Sequence, residues 1–342
     1  MKRLLLALLL ALAAYAAAVV FVNRRGAPAE LTAVGPPAAL PAFPGDSLDV
    51  MIWNIGYGGL GAESDFASDG GKSLVPPSRA AVEKNGAGIV AELNRRRPDA
   101  ILMQETARAS VLTRGVDTLG AVAGALAGRD NAFSGDIVAT LLPPPLALEN
   151  GLFASIGWGG VRRELHALPR EPGHMLGLIK RRYHVQIIRV PTDDAGPDWV
   201  LFNVHLSAFD EGANTRLEQM REVLRLAEAE YARGARVIVG GDWNYEFVNP
   251  GRPTTTTEEF LFWLHPFPRD ELGEGWRAVY DAAVPTCRTN ERPYAKGENF
   301  TTVVDGFVIS PNVEADRVEA VDLDFQYTDH QPVLATFRAK AE

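Results

Sequence analysis

Six short apolar runs of this 342-residue sequence end on, or enclose, a residue able to do acid–base or ligand chemistry. "LDVMIWNI" carries Asn54, and "AILMQET" carries Glu105. "WVLFNVHL" carries His205, and "RVIVGGDWN" carries Asp242 and Asn244. "TTVVDGFVIS" encloses Asp305, and "YTDHQP" sets Asp329 and His330 just before the last apolar run. A carboxylate inside or at the end of a buried strand is costly unless it is paired or bound to a cation.

Each of these residues also has a plain structural reading. Asn54 alone is a turn residue, Glu105 a helix-capping acid and His205 a core histidine bonded to backbone. Gly-Gly-Asp is a common turn that Asp242 and Asn244 could simply fix. Asp305 fits such a reading worst, because Val303, Val304, Phe307 and Val308 surround it. The plain reading wins for each residue taken singly and fails for the ordered series.

As a set, the residues make chemical sense. Asn54 and Glu105 are oxygen ligands suited to a hard cation such as Mg²⁺, which polarises a phosphoryl oxygen and offsets charge on the leaving oxygen. Asp242 can orient or deprotonate a water, while Asn244 and His205 donate to phosphoryl oxygens. Asp305 beside His330 makes a pair that raises the basicity of the imidazole and fixes its tautomer. Asp329 can hold a second metal or tune the first.

Positioning these side chains requires strands separated by helices. "SRAAVEKNGAGIVAELNRRR" starts at a capping Ser78, carries Ile89, Val90 and Leu93 on one face, and is stopped by Pro98. "NTRLEQMREVLRLAEAEYARG" is a helix with Leu217, Met220, Leu224, Ala227 and Tyr231 as its apolar stripe, closed by Gly234. Several strands follow one another without a helix between them. Mixed or antiparallel sheets with helices outside are therefore expected, rather than a doubly wound parallel sheet.

The first residues differ in kind. An unbroken apolar run from Leu4 to Val22 lies between Lys2, Arg3 and Arg24, Arg25, long enough to span a bilayer core. Residues 1–25 read as a retained membrane anchor, because the run extends through Val19–Val22; a cleaved signal segment is the competing reading. A short N-terminal tail usually stays inside, which places the body outside the cytoplasm, or secretes it if the segment is cleaved. Residues 26–46, rich in Pro and Ala, read as a tether, and 47–342 as the catalytic domain. The net charge of −9 disfavours tight non-specific DNA binding. Cys287 is the only cysteine, which rules out an intramolecular disulfide and a Cys-rich zinc site; it reads as a packing residue.

"WNI" at 53–55, "QE" at 104–105, "NVHL" at 203–206, "GGDWN" at 240–244, "VDGFV" at 304–308 and "TDHQP" at 328–332 together resemble the endonuclease/exonuclease/phosphatase superfamily, in the family's order, from about Leu48 to Arg338. That superfamily includes deoxyribonucleases, abasic-site nucleases, neutral sphingomyelinases, inositol polyphosphate 5-phosphatases and deadenylases. The resemblance implies an α/β four-layer sandwich, two mixed sheets packed face to face with helices on the outer sides. It implies that Asn54 and Glu105 are metal ligands, and that His205, Asp242, Asn244 and the Asp305–His330 pair do the chemistry with Mg²⁺, or Mn²⁺ in its place. Some nucleases of the family carry an acid two residues after the first Asn. Here that position is Gly56, which shifts the metal site toward Glu105 and Asp329. Residues 57–78 have no counterpart in those nucleases, and Asp65, Asp69 and Lys72 within them are candidates to shape the substrate pocket, against the plain reading of a solvated Gly-rich loop.

Binding the rest of a phosphate ester takes cations. Arg162, Arg163, Arg181, Arg182 and Arg288 are candidates, most of them expected to be solvated, with Arg288 and Lys296 favoured because they precede the Asp305 strand. The expected partners are a phosphate ester (a lipid head group, nucleotide or nucleic acid) and a membrane through the N-terminal segment; no obligate protein partner is evident. A phosphodiesterase or phosphatase is the leading expectation, with an endonuclease or exonuclease on DNA or RNA as the alternative and a non-catalytic binding protein behind both.

Overall fold

Alternation along one strand defines the layers. In Ser47–Asn54, Val50 and Ile52 face one way and Met51 and Trp53 the other, and all four are fully buried. A strand buried on both faces must lie between two apolar layers. The computed structural model describes residues 2–340 apart from 26–28, 37–38, 46, 140, 172–180, 194–195, 209–211 and 213.

In chain order the elements are α1 (Lys2–Arg25), β1 (Leu31–Ala33), β2 (Ser47–Asn54), α2 (Arg79–Arg96), β3 (Ala100–Ala107), α3 (Thr118–Ala125), β4 (Asp130–Ala139) and β5 (Leu148–Ile156). Then come β6 (Arg162–Ala167), β7 (His184–Val190), β8 (Trp199–His205), α4 (Asn214–Tyr231) and β9 (Arg236–Asp242). Last are β10 (Arg277–Val279), β11 (Cys287–Arg288), β12 (Thr301–Thr302), β13 (Asp305–Ile309), β14 (Val313–Ala320) and β15 (Val333–Ala339). Seven strands form one mixed sheet in the order β1-β4-β5-β3-β2-β15-β14, and six form the other, β10-β13-β9-β8-β7-β6.

Val50, Ile52, Leu102, Leu201, Ile238 and Phe307 meet between the sheets. On the outer face of the larger sheet, Met51, Trp53 and Met103 pack on Ile89 and Leu93 of α2 and on Leu119 and Val122 of α3. On the outer face of the smaller sheet, Val200, Phe202 and Val237 pack on Met220, Val223, Leu224 and Ala227 of α4. The architecture is thus the expected four-layer α/β sandwich. Each such side chain contributes about 1.5–3 kcal/mol when fully buried.

Helix ends follow the sequence. Ser78 Oγ accepts from Ala81 N–H at 3.1 Å, and Arg97 ends α2 in the left-handed region before Pro98. The stripe of α4 shifts slightly, with Arg216 and Val223 buried and Leu217 and Tyr231 only partly so. The expected single strand "TTVVDGFVIS" is divided: Thr301–Thr302 pairs with β11, and Asp305 begins β13 rather than lying inside a strand.

The described part of residues 26–46 differs from a free tether. Leu31–Ala33 adds an edge strand to the larger sheet, pairing antiparallel with β4. Phe43 is fully buried between Trp158 and Trp199, because an aromatic ring gains more in that slot than a Pro/Ala chain loses in freedom. Residues 2–23, in α1, are long and apolar enough to cross a membrane, a description that a signal sequence meets equally.

Candidate active site

Strand register brings the chemistry together. β8, β9 and β13 are neighbours in the smaller sheet, and their pairing sets His205 opposite Asp242 and Asp242 opposite Asp305. Three residues far apart in sequence thus stand in one row at one sheet edge. From the larger sheet, β2 delivers Asn54, β3 delivers Glu105, and the turn into β15 delivers Asp329 and His330. One cleft is lined by Asn54, Glu105, His205, Asp242, Asn244, Asp329 and His330, together with Arg288. Asp305 stands behind it, fully buried.

Local sequence explains each delivery. Gly241 adopts φ +147°, and a Cβ there would strike the Val204 carbonyl, so the Gly-Gly pair lets β9 approach β8 closely. Asn244, at φ +54°, donates its N–H to Asp242 Oδ1 (2.9 Å), closing an Asx-type turn. Trp243 anchors that turn by donating from Nε1 to Gly306 O at 3.1 Å. Glu105 sits where the β3–β5 register breaks, at φ +55°, so a bulge aims its carboxylate into the cleft. The "TDH" turn is held by Trp53 Nε1 donating to His330 O (3.1 Å) and Arg288 N–H donating to Asp329 O (3.1 Å).

Two links between the sheets lie in the site itself. Asn54 Nδ2 donates to Asp242 Oδ2 at 3.0 Å, and His330 Nδ1 lies 2.9 Å from Asp305 Oδ2. Asn54 also reaches Glu105 Oε1 at 3.4 Å, while its oxygen accepts the Gly56 N–H at 3.0 Å. Both ends of that amide are engaged by the chain, so Asn54 clamps two carboxylates while its oxygen keeps a second lone pair for a cation. Beneath the site, a buried amide chain also spans the sheets: Gln104 Nε2 donates to Asn203 Oδ1 (2.7 Å), and Asn203 Nδ2 to Gln186 Oε1 (3.1 Å). Such networks are stabilising only when satisfied, and they then fix one arrangement of the layers.

Asp242 faces both histidines, with His205 Nε2 at 3.4 Å and His330 Nε2 at 3.8 Å from Oδ2. Burial alone would lower the His330 imidazole, but Cys287, Asp305 and Asp242 oppose it and hold it well above its ordinary 6.5. The Cys287 thiol, pushed up to about 12 chiefly by burial, is uncharged at neutral pH. The two carboxylates therefore supply the charge that holds the imidazolium, and Cys287 is no nucleophile. His205 goes the other way: burial, the Arg181 guanidinium and His330 hold it well below 6.5.

Glu105 is pushed up to about 7, first by burial and then by the Asp329 carboxylate. Two desolvated acids that repel one another are a donor set suited to a hard cation. Gly56, at φ +46°, explains its departure from the acidic pattern, since a Cβ there would lie 2.9 Å from Asp329 Oδ1. Asp329 occupies the space that an acid at position 56 would need. Asp242, Asp305 and His330 also bring ligand atoms within 4.8 Å of one another, but the latter two are hydrogen-bonded together, which favours acid–base work over a cage.

The two favoured substrate cations are both engaged by the chain. Lys296 is exposed and paired with Asp324 at 3.3 Å, outside the cleft. Arg288 lines the cleft, but it is buried and donates to the carbonyls of Leu60, Gly61 and Ser64, so it holds residues 60–64 in place. That segment is an ordered wall rather than a solvated loop. Tyr57, Leu60, Phe66 and Asp69 line the cleft, while Asp65 accepts the Lys72 N–H and stays in its own turn. Asn290 Nδ2 ties Asp69 Oδ2 (2.9 Å) to Asp329 Oδ2 (2.7 Å). Sequence reasoning missed Asn290 altogether and expected solvation for most of the arginine group that includes Arg181. Arg181 lines the cleft, bonded to Asp136 and His205. Nothing local to "KRRYH" marks it out.

The Endonuclease/Exonuclease/phosphatase family signature matches residues 51–330, a span that holds every residue of the site. The chain belongs to that family. It is a metal-dependent phosphoric ester hydrolase by membership, and its fold recurs among solved structures. An endonuclease/exonuclease/phosphatase from Beutenbergia cavernae is 19% identical, with a TM-score of 0.55 over 86% of this chain and 72% of that one. D. rerio TDP2, complexed with single strand DNA product, is 15% identical, with a TM-score of 0.54 over 86% and 99%. The human Nocturnin catalytic domain, with bound sulfate anion, is 16% identical, with a TM-score of 0.51 over 91% and 98%. Comparison with curated proteins finds no match.

Proposed function

We propose that this hydrolase is a Mg²⁺-dependent phosphodiesterase or phosphatase that attacks phosphorus with an in-line water. The observation that carries this reading is the row His205–Asp242–Asp305, closed by His330 from the opposite sheet. Glu105 and Asp329, with Asn54, would hold the metal, which supplies Lewis-acid polarisation of a phosphoryl oxygen. Asp242 is held from two sides, by Asn244 N–H on Oδ1 and Asn54 on Oδ2, so its carboxylate is fixed in place to accept a proton from the attacking water. His330, charged and oriented by Asp305, presents Nε2–H to the phosphoryl oxygens. His205 and Asn244 add donors from the opposite rim. These preorganised donors meet developing negative charge without moving, which is where such groups are worth most. As the new P–O bond forms and the ester P–O bond breaks, Asp242 takes the water's proton and the His330 imidazolium gives its Nε2 proton to the leaving oxygen.

In this reading residues 1–25 anchor the enzyme and residues 47–342 catalyse outside the cytoplasm. The wall at residues 57–70 narrows the approach, which favours small or terminal phosphate esters over an internal stretch of duplex. A nuclease is the second reading, favoured by the relative that holds a single strand DNA product. The test uses the full chain with Mg²⁺ or chelator on plasmid DNA, RNA, sphingomyelin, phosphoinositides and a generic phosphodiester. Turnover that chelator abolishes and Mg²⁺ restores is expected. Absence of metal-dependent turnover on every one overturns the reading.

A further inference from the structure

The geometry points to Arg181 as a positioning residue: by donating to His205 Nδ1 it fixes that imidazole as the neutral tautomer with its proton on Nε2, so His205 serves the phosphoryl oxygen only as a hydrogen-bond donor.

Arg181 Nη2 is hydrogen-bonded to His205 Nδ1. A guanidinium has donors and no acceptor, so Nδ1 must offer its lone pair, and the proton of a neutral ring then sits on Nε2. Nε2 points at Asp242 Oδ2 (3.4 Å) and Glu105 Oε1 (3.8 Å), the two acids between which a phosphoryl group would be processed. A proton on Nδ1 would set two donors and two positive charges against each other inside a buried site.

The guanidinium cannot easily turn away. Its Nε donates to both oxygens of Asp136 (3.2 and 2.9 Å), and its Cζ lies 4.8 Å from the centroid of the buried Tyr183 ring. Asp136 is itself 4% exposed and sits where the β4–β5 register breaks, so a second bulge of the larger sheet serves the smaller sheet's histidine. A lysine could supply one charge here but not the planar fork that holds an acid and an imidazole together.

The two imidazoles of the cleft thereby have separate duties. Nδ1 of His330 faces a carboxylate and Nδ1 of His205 faces a guanidinium, so only His330 can carry and exchange a proton at the phosphoryl group.

The test labels the full chain with ¹⁵N-histidine and reads long-range ¹H–¹⁵N spectra in chelator, with His205→Gln assigning its signal among the six histidines. The expected result is an unprotonated Nδ1 and a protonated Nε2 at neutral pH. Native His205 found as the Nδ1–H tautomer, or as imidazolium, overturns the inference without any variant having to fold. In the double variant Arg181→Met with Asp136→Asn, which leaves no bare carboxylate, His205 should show mixed tautomers. Its kcat should fall about tenfold to a hundredfold with KM nearly unchanged. A His205 spectrum identical to native in that variant also overturns it. Only the kcat arm rests on the proposed reaction; the spectra decide the tautomer even if every substrate fails.

Discussion

His205 and His330 approach the same Asp242 oxygen, at 3.4 and 3.8 Å, from opposite sheets and in opposite electrical settings. His330 is backed by Asp305 and leans toward the charged form. His205 is backed by Arg181 and leans toward the neutral form. Neither difference is a property of histidine. Burial lowers both, and the partner on each Nδ1 then acts in an opposite sense, Asp305 raising His330 and Arg181 lowering His205. Each partner chain crosses between the sheets, His330 to Asp305 directly and His205 through Arg181 to Asp136. The pairing of layers thus sets a carboxylate behind one imidazole and a guanidinium behind the other.

Breaking the comparison at its charged side should cost most. His330→Ala is expected to lower kcat by about 10³–10⁴-fold while the protein stays folded, as steady-state kinetics beside circular dichroism would show. An undiminished rate would end the acid–base assignment. His205→Gln keeps a side-chain donor on the neutral side, so a smaller loss of about 10–10²-fold is expected in the same assay. Equal losses in the two variants would erase the distinction.

Stability against pH, followed by urea unfolding in chelator, gives the two residues opposite signs. His205 is lowered in the folded state, so below about 6.5 the unfolded chain binds the extra proton and stability falls with pH. His205→Gln should flatten that acid loss. His330 is raised, so its contribution is complete below about 6.5 and is lost as pH climbs through the folded value. His330→Gln should flatten the alkaline loss instead. The smallest effect is expected for Lys296→Ala, whose rate on the best substrate should match native within about twofold, since an exposed ion pair is worth little.

Legibility varied with how local the cause was. "GGDWN" could be read because its glycines, Asx-type turn and Trp anchor lie within five residues of one another. Asp305 could be read because an acid among valines has few other uses. Lys296 and Arg288 were favoured for their nearness in sequence to the Asp305 strand, and neither is placed as a free cation facing the phosphate. Arg181 stood among several arginines, and what lifts it out is Asp136, 45 residues away. Phe43 looked like part of a tether because Pro and Ala surround it, while the aromatic slot it fills is made by Trp158 and Trp199.

Residue order alone showed which strands end in acids, amides and histidines, and where helices start and stop. Those are consequences of side-chain period and of the cost of burying charge, and both act along the chain. Tertiary structure alone decided the opposite electrical settings of the two histidines, the filling of the Gly56 space by Asp329, and the holding of residues 60–64 by Arg288. Each of these depends on atoms within about 3–4 Å that the fold brings together from distant parts of the chain.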